Sequence, residues 1–166
     1  MTILDKRVVY IDEKFVYIAR EFEKRLNWKR GNGDALLLEA TLIREKQVQK
    51  PLNWRHDFIY HGMKIDAKEV NSNWFNIQRG KTKQYIESIT TGNLTHFLFY
   101  TSDRDRDRLL VPGDVVTLEP IALCNAKKII KNRVKESKHP DSEGFVAIET
   151  MLMLKEELNE TNESVD

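Results

Sequence analysis

Asp57, Asp66 and Lys68 are the residues whose types and spacing are best suited to chemistry. They fall in HDFIYHGMKIDAKEV, residues 56 to 70, which reads as two short strands folded about His61-Gly62. Asp57 opens the first strand. Asp66 and Lys68 lie two apart on the second, so the alternation of a strand puts both on one face and turns Ile65 and Ala67 to the other. The fold about His61-Gly62 can return Asp57 to that pair. Two carboxylates held a few ångströms apart repel each other unless a cation lies between them, which makes the trio a candidate site for a hard divalent metal taking oxygen ligands. Mg2+, or Mn2+ in its place, is the expected ion, with the backbone carbonyl of Ala67 as a further ligand. Lys68 would orient or help deprotonate an attacking water and offset negative charge that develops on a phosphate.

The same string resembles the core motif of the PD-(D/E)XK nuclease superfamily, whose fold is restriction-endonuclease-like: an acid, a hydrophobic strand, a glycine turn, then acid-x-lysine. The resemblance implies that Asp57 and Asp66 bind a divalent metal and that Lys68 assists the water. His56 stands where the family usually has proline. The family often adds a glutamate from a helix before the hairpin, and Glu39 fits that role, with Glu21 or Glu23 as alternatives if the segment around Glu39 is a strand. The helix that commonly follows the lysine would here carry Gln78, Lys81 and Gln84 toward DNA phosphates. The activity implied is that of a Mg2+-dependent endodeoxyribonuclease suited to a phage, mobile-element, restriction or repair setting. A non-catalytic nucleic-acid- or protein-binding module with a nuclease-like fold is the other reading.

Acid-x-Lys also occurs at Asp12-Glu13-Lys14 and Glu136-Ser137-Lys138. Neither follows an upstream acid and a glycine turn on a hydrophobic strand, so context singles out the hairpin. Its bland reading is an exposed edge hairpin in which Asp66 and Lys68 form a surface ion pair worth about 0–1 kcal/mol.

The elements that must position these residues follow from periodicity. Residues 12 to 29 place Phe15, Ile18, Phe22 and Leu26 at helical spacing after a short strand at 6 to 11. Asp34 is a plausible N-cap for a helix at 35 to 47, although LLLEATLI also suits a buried strand. After the hairpin, residues 79 to 90 read as a helix with Tyr85, Ile86 and Ile89 inward, closed by Gly92. THFLFYT and DVVTLEPIAL, residues 95 to 101 and 114 to 123, read as strands separated by the charged run SDRDRDR. Residues 125 to 137 suit a basic helix, Pro140 to Gly144 a loop, and 145 to 158 a last element of either kind. The expected assembly is α/β, a mixed central sheet flanked by helices: one domain over 1 to 158 and an acidic tail over 159 to 166.

The chain has 166 residues, 32% of them charged, with a net charge of only +1. A nucleic-acid surface must therefore be local. Lys127, Lys128, Lys131, Arg133 and Lys135 form the best backbone-binding run, since clustered cations near phosphates release counterions. The histidines lack zinc-site spacing, and GxxxxGK[ST] is absent, so neither zinc nor ATP is expected. A single cysteine, Cys124, is in keeping with a reducing cytoplasm, and no apolar run approaches a membrane span. DNA is the expected partner, and symmetrical cutting of two antiparallel strands would favour a homodimer.

Overall fold

A computed structural model of the chain describes residues 3–17, 58–70, 74–105 and 110–147. Asp57, Glu39, Glu21 and Glu23 lie outside the described residues, as do the 35 to 47 segment and the acidic tail.

The hairpin forms where its pattern places it. β2 (Phe58–Tyr60) and β3 (Met63–Glu69) are antiparallel, with Phe58 opposite Ile65 and Tyr60 opposite Met63. His61 and Gly62 take φ of 46° and 76°. Two successive positive values are what a two-residue hairpin loop with the twist of its strands requires, and glycine at the second position meets that requirement without a side-chain clash. Before them in sequence comes β1 (Arg7–Tyr10), followed by a helical turn at 13–17 whose first N–H groups are met locally. There the Phe15 N–H donates to Asp12 Oδ1 at 2.6 Å.

β4 (Trp74–Gln78) and α1 (Lys81–Thr90) lead to β5 (His96–Ser102), which runs parallel to β3. A parallel pair needs a long crossover, and β4 with α1 supplies it. Thr95 extends the pairing, its N–H donating to the Lys64 carbonyl at 2.9 Å and its Oγ1 accepting the Lys64 N–H at 2.8 Å. β6 (Val115–Asn125) returns antiparallel to β5 and also pairs with β1. The result is a mixed five-stranded sheet, β1-β6-β5-β3-β2, with a separate two-stranded sheet of β4 and β7 (Ser142–Ala147).

Each face of the large sheet carries its own core. On one face Ile65, Ala67, Leu98, Tyr100, Leu118 and Leu123 pack with Val9 and with Phe15 and Val16 of the helical turn. On the other, Phe97, Phe99, Ala122 and Cys124 pack under Tyr85 of α1, Ala126 and Ile129 of α2 (Ala126–Lys131), and Phe75, Ile77 and Val146 of the small sheet. β5 feeds alternate residues to the two cores, so its Phe97 to Tyr100 stretch is apolar throughout and fully buried. Each such phenylalanine contributes about 1.5–3 kcal/mol by leaving water. This is an α/β chain with a mixed sheet covered on both faces.

Three expectations need correction. Ile86 points outward, about half exposed, because α1 turns Thr82, Tyr85 and Ser88 inward and leaves Ile89 partly covered. α2 stops at Lys131 rather than near 137, since the Val134 N–H bonds to the Phe145 carbonyl at 2.8 Å and draws the chain alongside β7. The stretch from Pro140 to Gly144 is not all loop, because β7 starts at Ser142 and runs to Ala147.

Candidate active site on the hairpin face

Ile65 and Ala67 are buried in the first core, which turns Asp66 and Lys68 to the opposite face of β3, the side covered by α1. Lys68 Nζ lies 3.4 Å from Asp66 Oδ1. It also lies over the Tyr85 ring, 5.8 Å from the centroid, near the outer limit of a cation–π contact. Tyr85 is held edge-on against Phe97, its ring centroid 5.2 Å away, so the second core fixes the aromatic surface under the ammonium group. The Asp66 side chain retains 16% and that of Lys68 33% of its possible exposure, enough for solvent to reach both. β3 is an interior strand between β2 and β5, with Asp66 beside Phe97 and Lys68 beside Phe99. Among the described residues β5 pairs with β3 along Asp66 and Lys68, whereas β2 pairs only with Met63 to Ile65. The ion pair itself is one that an exposed edge hairpin would also make.

Ala67 is buried and opposite Leu98. Among the described residues no group of three or more His, Cys, Asp or Glu side chains is placed to hold a metal. Asp66 is the one described carboxylate of the expected set, since Asp57 and Glu39 lie outside.

The expected DNA-contacting residues separate into three places. Lys81 and Gln84 share the first turn of α1, where Lys81 Nζ donates to Gln84 Oε1 at 3.4 Å. Gln78 is exposed at the end of β4, where the register with β7 shifts. Lys127, Lys128 and Lys131 all face solvent on α2, whose Ala126, Ile129 and Ile130 face the core. Asn125 caps that helix through Oδ1, which accepts the Lys127 and Lys128 N–H groups at 3.0 and 3.4 Å. Phe75 is core, whereas Trp74 is half exposed beside Phe145.

Other cations went unnoticed in the sequence. Arg79, Lys83 and Lys138 join Arg133 and Lys135 around a groove of about 990 Å3 against α1. They come from two separate stretches of chain, 79 to 83 and 133 to 138, which only the fold brings together. The N-terminus of α1 beside this groove is already met by a carboxylate. Gly80 at the N-cap offers no side chain, and instead Glu143 of β7 accepts the Gly80 N–H through Oε1 and the Thr82 N–H through Oε2, the latter at 3.2 Å. The Thr82 hydroxyl and the Gly80 N–H hold the Glu143 carboxyl below its ordinary pKa, aided by Arg133 at 3.8 Å. Arg133 in turn donates to Thr82 Oγ1 at 2.6 Å.

No protein-family model, curated protein or solved structure matches the chain. Among the described residues no helix is long and apolar enough to cross a membrane.

Proposed function

We propose that the chain is a metal-dependent endonuclease that hydrolyses phosphodiester bonds in DNA. The observation that carries this reading is the Asp66–Lys68 pair, 3.4 Å apart on one face of a strand paired there with β5 and under the helix that follows it. The hairpin register supports a second acid, because Asp57 precedes Phe58 in sequence, Asp66 follows Ile65, and Phe58 and Ile65 are paired. Carboxylates with a lysine suit a hard divalent cation. Asp66 and Asp57, with Glu39 and the Ala67 carbonyl, would hold Mg2+ or Mn2+, and the ion when bound would activate water and neutralise phosphate charge. Lys68, between the Asp66 carboxylate and the Tyr85 ring and partly open to solvent, would orient the water and meet developing charge. Symmetrical cutting of both strands would call for a homodimer.

A binding module that does not turn over is the second reading, favoured by the basic groove on the flank of α1, which could hold nucleic acid without any chemistry. Purified protein incubated with plasmid and with branched DNA separates the two. With Mg2+ or Mn2+ present the parent cuts, chelator stops it, and Asp66→Ala and Lys68→Ala each lower the rate on the order of 10²–10³-fold. No cutting under any metal condition, or variants as active as the parent, would abandon the enzyme reading.

A further inference from the structure

On α1, Lys81 and Gln84 lie on one flank of the buried stripe formed by Thr82, Tyr85 and Ser88, and Lys83 and Ile86 lie on the other. The second flank faces the groove of about 990 Å3. Among the described residues its lining carries five basic side chains against two acidic ones, Glu136 and Glu143. Glu143 is occupied with the α1 N-terminus and Arg133, and Arg79 Nε donates to the Pro140 carbonyl at 2.6 Å. Lys83, Lys135 and Lys138 are exposed and make no ion pair among the described residues. Three ammonium groups without an ion pair among the described residues, against Glu136 as the acid left in the lining, make this concave surface an electropositive trough in a chain whose net charge is close to zero.

We infer that this trough binds the sugar–phosphate backbone of a DNA strand, with Lys83, Lys135 and Lys138 contacting successive phosphates. The inference rests on the nuclease reading for its choice of DNA. The trough is far larger than one phosphate requires, and Ile86, 48% exposed within it, offers an apolar surface that suits a sugar or base edge and not a small anion. Its wall also leads to the candidate active site. Thr82 lines the trough, and one turn further along α1 the Tyr85 ring has the Lys68 ammonium over it, 5.8 Å from its centroid. A strand lying in the trough would approach the hairpin from the flank of α1 opposite Lys81 and Gln84.

Binding of fluorescently labelled DNA to the full chain, followed by anisotropy in chelator so that no cutting occurs, tests the inference apart from catalysis. Replacing Lys83, Lys135 and Lys138 together by alanine weakens binding about tenfold or more and lowers the slope of log affinity against log salt by about 2–3, one unit per lost phosphate contact. The same readout changes less when Lys127, Lys128 and Lys131 are replaced together, and Asp66→Ala still binds through the trough. Circular dichroism checks that the variants fold. Unchanged affinity and slope in the folded trough variant overturn the inference. Inorganic phosphate competing as effectively as DNA at equal phosphate concentration also overturns it, in favour of a small-anion site. A parent that binds through the trough yet cuts nothing leaves the inference standing and removes the nuclease reading.

Discussion

Asp66 and Lys68 owe their shared face to a period of two, and that much is written in the sequence because Ile65 and Ala67 between them are apolar and are buried. The tyrosine under Lys68 was not legible as such. Tyr85 sits 17 positions on in a different element, and its spacing marked it only as inward-facing. His96 was equally silent, yet it carries a measurable consequence. Burial lowers its imidazole from 6.5 to about 4. Between those values the unfolded chain takes up a proton that the folded chain does not, so the stabilisation is complete above pH 6.5 and is lost as pH falls through this window. The shift corresponds to about 3 kcal/mol. Denaturant unfolding at pH 7.5 and 4.5 will show the parent losing more stability than His96→Gln, by an amount of that order. Equal losses would mean that the ring is not shielded from water. Burial pushes the Cys124 thiol up to about 12 and leaves it free within the second core, which agrees with its reading as a small apolar residue.

At the scale of elements, the strands and the helix after the hairpin follow from local pattern. His61-Gly62 specified its turn, and THFLFYT read as a strand, whose apolar stretch from Phe97 to Tyr100 the fold buries on both faces. The C-terminal end of α2 and the start of β7 did not follow, because tertiary pairing decides them. Val134 could have continued a basic helix but instead bonds to Phe145, and Gly144 permits the approach. Gly144 has φ of 152°, and a Cβ there would lie 1.8 Å from the Val134 carbonyl oxygen. Backbone cannot yield as a side-chain tip can, so Gly144→Ala should cost on the order of 3 kcal/mol and lower the melting temperature accordingly. A variant that melts with the parent would show that the 134 and 144 segments do not meet. Glu143, one residue away, caps α1 from β7, a contact that no search for a local capping residue could find.

For the whole molecule, sequence pattern anticipated a mixed sheet flanked by helices, and the strand order β1-β6-β5-β3-β2 with layers on both faces agrees with that class. The division of cations into an α2 face, an α1 flank and a trough on the other flank required the fold, since residues 79, 83 and 133 to 138 meet only in three dimensions. Net charge concealed the trough because acids elsewhere balance it. The hairpin and the trough are joined by α1, and the nuclease proposal makes them parts of one DNA path. The most direct measurement of its centre is anomalous scattering from crystals of the full chain grown with Mn2+. A peak at ligand distance from the Asp66 carboxylate, about 2 Å, shared with Asp57 and lost in Asp66→Ala crystals, is the predicted result. Asp57 and Asp66 pointing apart, with no manganese at either, would contradict it.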